Sequence, residues 1–144
     1  MATIEVVITI ARPIGEVFSA VVDYANVGKW QAGTGKVTVV PDTRLRTGAM
    51  VTQERRAGGM DMLLNADVLE LQTNKLLEMQ GVIGKHPFRD RFEFMPQGRT
   101  TQLLHTRRTA GGILTRIFSP FVGMRMKRVM AADLERLKAM LEEK

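Results

Sequence analysis

Residues 121–143, FVGMRMKRVMAADLERLKAMLEE, form a long stretch with helical periodicity near the end of a chain of 144 residues. Apolar residues recur at intervals of three and four, which predicts one continuous apolar stripe along a helix. The stripe consists of Val122, Met126, Val129, Met130, Leu134, Leu137 and Leu141. At ~1.5 Å per residue the helix would be roughly 34 Å long. Ser119 can cap it and Pro120 suits its first turn, so the helix is predicted to begin there.

Before this helix the periodicity is typical of strands. In residues 4–11, isoleucine and valine alternate with Glu5, Val7 and Thr9, which predicts a half-buried strand. Six further segments have strand character: residues 36–40, 48–56, 62–72, 76–83, 88–95 and 100–109. The intervals between these six are short and rich in Pro, Gly, Asn and Asp. Such connections favour antiparallel neighbours, so we expect a seven-stranded antiparallel sheet.

Two short helices are predicted between the first and second strands. Pro13 suits a first helical turn, and Ile14, Val17, Phe18 and Val21 follow at helical spacing in residues 13–23. A second helical turn is predicted over residues 26–30. The fold class is therefore α+β, with a curved sheet wrapped around the long C-terminal helix. One helix cannot fill the concave side of such a sheet, so we expect a cavity between them. No repeat or linker interrupts residues 1–144, which predicts a single domain.

The N-terminal residues also carry a family resemblance: an apolar strand ending at Ile10, a Pro step at Pro13, a helix with Phe18, then Asp23 and Trp30. With this element order, the chain resembles the polyketide cyclase/dehydrase branch of the START-like (SRPBCC, plant-allergen-like) superfamily, which has the helix-grip fold. Arg12 stands where the family more often has a small residue. The resemblance implies a pocket for a small hydrophobic or amphipathic molecule, such as a lipid or a polyketide.

Some relatives in that superfamily catalyse cyclisation, aromatisation or dehydration, and others only bind or transport. The resemblance supplies no shared catalytic motif, so it assigns no catalytic residue. We therefore expect binding or transfer of a small apolar or amphipathic ligand, and no cofactor. The alternative is an enzyme of the cyclase/dehydrase type that uses a carboxylate or histidine of the cavity as its acid–base group.

Three residues are candidates for such acid–base chemistry. Asp90 shares one face of its strand with three phenylalanines, a setting in which desolvation would raise a carboxyl pKa. The alternative is that Asp90 reaches solvent or pairs with an arginine. Glu78, between Leu77 and Met79, is a weaker candidate for the same role. His105 is the third candidate, and the alternative for it is a structural or surface role.

The predicted ligand-binding residues are large apolar side chains expected to face the cavity. They are Phe18, Trp30, Met62, Met79, Phe88, Phe92, Phe94, Phe118, Val122, Met126 and Met130. The methionines would make an adaptable wall, because the Met side chain is flexible and polarizable. Met60 and Met95 are also expected at inward positions. For each residue, ordinary core packing is the alternative.

Basic residues concentrate in one part of the chain. Residues 85–128 contain 10 basic and 2 acidic residues, whereas the rest of the chain has 11 basic and 13 acidic residues. We expect a solvated sheet exterior, including Arg107 and Arg108, and one edge of the helix to account for most of them. A nucleic-acid partner is not expected, because clear aromatic or sequence motifs for it are missing. Peripheral contact with an anionic membrane is left open, since Ile113, Leu114, Ile117, Phe118 and Phe121 stand beside Arg116 and Arg125.

Other classes of site are disfavoured by composition. The chain has no Cys and two His, His86 and His105, so a transition-metal site is not expected. Phosphate-binding glycine loops and a Gly-x-Ser-x-Gly turn are missing from the sequence. Without a signal peptide or an apolar run of membrane length in it, the expected location is cytoplasmic. The sequence leaves open whether the protein is a monomer or a homodimer.

Overall fold

The computed structural model describes residues 2–41, 44–57, 59–109 and 113–143, with side chains for residues 3–41, 44–56, 59–109 and 123–143. The chain begins with strand β1 and helix α1, continues through a short 3₁₀ helix and six strands, and ends in helix α2. The bounds are β1 Ala2–Ile10, α1 Ile14–Val22, the 3₁₀ helix Tyr24–Lys29, β2 Thr34–Val40, β3 Met50–Ala57, β4 Met60–Gln72, β5 Leu76–Ile83, β6 His86–Gln97, β7 Thr100–Thr109 and α2 Ile113–Glu142.

The strands form one antiparallel sheet in the order β1-β7-β6-β5-β4-β3-β2. The register places Asp90 of β6 opposite Arg107 of β7, and Phe92 opposite His105. Because side chains alternate between the two faces of a strand, these four residues share the inner face of the sheet. The chain crosses from β1 at one edge to β2 at the other through α1 and the 3₁₀ helix.

Helix α2 packs on the inner face of the sheet. Its residues Met130, Leu134, Leu137 and Leu141 are buried in the core together with the inward side chains of the strands. Hydrogen bonds fix its C-terminal end to the end of β1: Lys138 Nζ donates to the Thr9 carbonyl oxygen (2.7 Å), and the Ala11 N–H donates to Glu142 Oε2 (2.8 Å).

The middle of α2 is fixed to the segment that follows the 3₁₀ helix. Asp133 accepts a hydrogen bond from the Ala32 N–H (3.1 Å), and Arg136 Nε donates to the Trp30 carbonyl oxygen (3.0 Å). Arg136 also pairs with Asp133. The helix is thus attached to the sheet edge and to the β1–β2 crossover at separate points along its length.

The predicted seven-stranded antiparallel sheet, the two short helices before β2 and the long C-terminal helix are confirmed. The predicted start of the long helix is wrong. Helix α2 begins at Ile113 and continues through Ser119 and Pro120. The apolar residues of segment 113–118 have helical spacing, and this pattern extends the helix upstream of the Ser-Pro step that resembles a local start signal.

The predicted inward position is also wrong for two methionines. Met60 is 66% exposed and Met95 is 45% exposed. Met60 is the first residue of β4 and pairs with Ala57, the last residue of β3, so it lies at the end of this hairpin. Met95 has the strand parity of Arg91 and Glu93, so it faces outward.

Replacement of Leu134 tests the packing of α2 on the sheet. Leu134 is completely buried, so Leu134→Ala should lower the free energy of unfolding by about 2–5 kcal/mol through lost apolar contact and a residual cavity. Urea denaturation measures the change. Glu135→Ala, at the exposed neighbouring position, should change it by less than about 0.5 kcal/mol. Equal effects of the two substitutions would contradict the burial of Leu134 against the sheet.

Candidate functional site

A buried ion pair joins β6 and β7 on the inner face of the sheet. Arg107 donates from Nε to Asp90 Oδ1 (2.7 Å) and from Nη2 to Asp90 Oδ2 (2.8 Å). Asp90 is 5% exposed and Arg107 is 8% exposed. The Arg107 guanidinium also lies 5.5 Å from the centre of the Phe88 ring, within the range of a cation–π contact. Both charges are therefore held in a fixed, water-poor position.

This pair determines the protonation state of Asp90. Burial raises the pKa of the Asp90 carboxyl, but the charge and hydrogen bonds of Arg107 outweigh burial and hold the pKa well below its usual range. The raised pKa expected for a carboxyl among phenylalanines is therefore not found. Asp90 is a carboxylate at neutral pH, and the arginine pairing that was its alternative is present.

His105 lies beside the ion pair. Its ring stacks on Phe92, with 4.0 Å between the ring centres and 13° between the ring planes. Trp30 contacts Phe92 edge-on, with 6.5 Å between their ring centres. His105 Nε2 lies 3.4 Å from Asp90 Oδ1. Within the described part of the chain, His105 Nε2 and Trp30 Nε1 are buried without a hydrogen-bond partner. His105 is therefore on the inner face of the sheet.

Glu78 is on the opposite face of the sheet from Asp90. It pairs with two arginines of the neighbouring strand, at 2.7 Å from Arg89 Nε and 2.6 Å from Arg91 Nη1. The register aligns Glu78 with Arg91, whereas Met79 is aligned with Asp90. Glu78 is therefore part of an outer ion-pair network and does not face the interior. Strand alternation separates the two carboxylates.

A small polar space adjoins the Asp90–Arg107 pair. The described residues leave about 10 Å³ there, which is room for one water molecule and far below the size of a ligand cavity. The space is lined by Tyr24, Gln31, Gln53, Arg55, Leu64, Met79, Phe88, Asp90 and Arg107. It is thus much smaller than the ligand-sized cavity expected from sheet curvature, and Trp30 and Phe92 of the inner face are buried in the packed core.

Arg55 is the second cation at this space. Its Nη1 donates to Gln31 Oε1 (3.2 Å), and Gln53 Nε2 donates to the same oxygen (3.2 Å). Burial lowers the pKa of Arg55, and repulsion from Arg107 lowers it further. Burial also raises the pKa of Tyr24 well above its usual value, so this hydroxyl is a neutral phenol at neutral pH.

A larger groove opens next to this space. Its volume is about 660 Å³, in the range of small-molecule sites, and it is lined by Gly33, Thr34, Gly35, Glu54, Arg55, Arg56, Asp61, Met62 and Leu63. Gly33 has a φ of +73°, and a Cβ there would lie 2.1 Å from the Arg56 carbonyl oxygen. Only glycine can occupy this position, because the crossover segment passes too close to the backbone of β3 for a side chain. Arg55 borders both the groove and the inner space.

The predicted ligand-binding residues fall into several groups. Met79 and Phe88 line the inner space, and Met62 lines the groove. A second set is buried in the packed core, and none of its members borders either space: Phe18, Trp30, Phe92, Phe94 and Met130. Met126 is half-buried on α2. The side chains of Phe118 and Val122 lie outside the described residues.

Sequence reasoning missed most of the polar lining. Arg107 was expected on the solvated exterior beside Arg108, but it faces inward and pairs with Asp90. Adjacent strand residues point to opposite faces, so Arg107 and Arg108 cannot both face outward. The same alternation places Gln53 and Arg55 with Val51 on the inner face, and this signal was available in the sequence.

Other features of the described residues bear on binding of metal ions and on contact with membranes. The described residues contain no group of three or more His, Cys, Asp or Glu suited to hold a metal ion. Within them, no helix is both long enough and apolar enough to cross a membrane. Arg125, Lys127 and Arg128 are exposed on α2, whereas the apolar side chains of segment 113–121 lie outside the described residues. Contact with an anionic membrane therefore stays a prediction.

Comparison with known proteins gives one family match over residues 1–142, to the family described as polyketide cyclase / dehydrase and lipid transport. None of the curated proteins matches the chain. The matched residues include every strand and both helices, so the family match concerns the whole fold.

Solved structures with the same fold are distant in sequence. Protein TTHA0849 from Thermus thermophilus has a TM-score of 0.81 at 15% identity, covering 96% of this chain and 95% of its own. The Zhui aromatase/cyclase from Streptomyces has a TM-score of 0.80 at 15% identity, covering 98% of this chain and 93% of its own. A START superfamily protein from Mycobacterium smegmatis has a TM-score of 0.69 at 14% identity, covering 94% and 98%. These similarities establish the helix-grip fold.

Breaking the inner ion pair should destabilise the protein strongly. Arg107→Met leaves Asp90 buried without its counter-charge, which should lower the free energy of unfolding by about 3–5 kcal/mol. The double variant Asp90→Leu with Arg107→Met removes both charges, so its free energy of unfolding should fall clearly less than that of the single variant. Urea denaturation at pH 7 compares the variants. If the double variant loses as much as the single one, the cost does not arise from an unpaired charge.

The same pair predicts a pH dependence. The pKa of Asp90 is lower in the folded protein than the ~3.9 of an unfolded chain, so its stabilisation is complete above that value and declines as the pH falls below it. Between about pH 5 and about pH 2, the wild-type protein should lose more stability than the double variant, which lacks this carboxyl. Denaturation midpoints across this range measure the difference, and parallel curves would contradict it.

Proposed function

Because the chain belongs to the polyketide cyclase / dehydrase and lipid transport family, we propose that it binds a small amphipathic molecule at the groove and the inner space that meet at Arg55. The observation that carries this proposal is a side chain shared by the two: Arg55 borders both a ligand-sized groove and a water-sized polar space inside the sheet. A ligand in the groove can therefore contact a side chain that also lines the interior.

The chemistry of the two spaces supports an amphipathic ligand. The inner space has polar and charged groups from Tyr24, Gln53 and Arg55, with Met79 and Phe88 as apolar walls. The groove adds the apolar side chains of Met62 and Leu63 to a polar rim. A few convergent polar groups beside apolar walls are typical of sites that orient a ligand by its polar end.

Binding is proposed over catalysis because the acid–base candidates are poorly suited to proton transfer. Asp90 is held as a carboxylate by two hydrogen bonds from Arg107, and Glu78 lies on the outer face. His105 is stacked on Phe92 and does not border the inner space. A general acid or base must reach the proton that it transfers. Transfer of the bound molecule between partners would be consistent with the family's description.

The proposal is tested with N-phenyl-1-naphthylamine, an uncharged probe that becomes fluorescent in apolar sites. The wild-type protein should bind it saturably, and a lipid extract should displace it. Native mass spectrometry of the protein after incubation with the same extract should show bound small molecules. Failure of both the probe and the extract to bind would overturn the proposed function.

A bulky residue in the groove should weaken binding. Met62→Trp places a larger ring at a half-buried position of the groove and should raise the dissociation constant of the probe about fivefold, equivalent to ~1 kcal/mol of lost contact. Met60→Trp is the matched control, because Met60 is exposed on the same strand and does not line the groove. Equal effects of the two substitutions would exclude the groove as the site.

A further inference from the structure

We infer that the site recognises amphipathic carboxylic acids, and that Arg55 binds the carboxylate. This inference rests on the proposed function and specifies its ligand class. It follows from the balance of charge around the inner space, from the donors that surround it, and from its size. These three observations are independent of the family match.

The inner space has an excess of positive charge. Among the residues that line it, Arg55 and Arg107 are cations and Asp90 is the single anion. Both oxygens of Asp90 already accept hydrogen bonds from Arg107. Among the described residues, no carboxylate forms an ion pair with Arg55: its side-chain acceptor is the neutral Gln31, and the charges of Asp133 and Asp90 act on it from beyond ion-pair distance. One cation of the site therefore has no directly paired anion in the described part of the chain.

Hydrogen-bond donors converge on the same place. A guanidinium carries five N–H donors, and Arg55 uses one of them on Gln31. The Tyr24 hydroxyl borders the same space as a neutral phenol and can donate to an anion. Gln31 and Gln53 hold the local geometry, since Gln53 Nε2 also donates to Thr34 Oγ1 (2.9 Å). A carboxylate matches a guanidinium in planar, two-point geometry.

Size and access favour a carboxylate on an apolar chain. The inner space of about 10 Å³ has room for one water-sized group, so one carboxylate oxygen can enter it while the rest of the group stays beside Arg55. Arg55 borders the groove as well, so the carboxylate can reach it while the apolar part of the ligand lies against Met62 and Leu63. The ligand class is therefore a monocarboxylic acid with an apolar body.

The test compares two ligands with the same apolar chain, decanoate and decan-1-ol, at pH 8. Each displaces N-phenyl-1-naphthylamine from the wild-type protein, and decanoate should bind about tenfold more tightly because its charge is hydrogen-bonded by Arg55. In Arg55→Gln the preference should fall to about twofold or less, because the affinity for decanoate falls much more than the affinity for decan-1-ol. Arg108→Gln removes the same charge from an exposed outer position and should keep the preference.

The outcomes separate the two proposals. If the wild-type protein binds neither ligand nor the probe, the proposed function fails. If it binds both ligands equally, or if Arg55→Gln keeps the preference for decanoate, the inference about Arg55 is overturned while the binding function stands. A second readout needs no variant. Decanoate labelled with ¹³C at its carboxyl should show a pKa below that of the free acid when bound, and an unchanged pKa would overturn the inference.

Discussion

The inner face of the seven-stranded sheet must be removed from water, and α2 is the long element that covers it. Leu134 and Leu137 of the helix are completely buried against the sheet, and hydrogen bonds from Lys138 and to Asp133 fix the helix at two further places. Apolar burial of this kind supplies most of the driving force for such an arrangement. The position of every inward side chain depends on this contact, because it defines which face of each strand is inside.

Covering that face also encloses charge. Asp90 and Arg107 are buried together, and each would be costly to bury alone. Their mutual hydrogen bonds use both carboxylate oxygens, so the pair is internally satisfied and offers little to a ligand. Arg55 differs, since it lies half-buried at the border between the inner space and the groove with a neutral acceptor. The distinction between a structural pair and an available cation is the basis of the proposed site.

The sequence predicted much of the fold but less of the site. Alternation in β6 correctly placed Asp90 with Phe88, Phe92 and Phe94 on the inner face. The same rule places Arg107 of β7 on the inner face, whereas the basic composition of residues 85–128 predicts an exterior position for it. Glu78 illustrates the opposite limit, because its sequence neighbours Leu77 and Met79 are apolar and yet its side chain faces outward, on the other side of the sheet from Asp90. Composition around a residue is a weaker guide than strand parity.

The sequence by itself determined the order of the elements and the face of most strand residues, because periodicity is a local property that neighbouring residues share. Only the tertiary structure decided which groups meet inside the sheet. The register of β6 against β7 brings Arg107 to Asp90, and the crossover brings Gln31 to Arg55 and Gln53. These contacts join residues 17 to 24 positions apart and depend on packing between strands and helices, which no local pattern encodes.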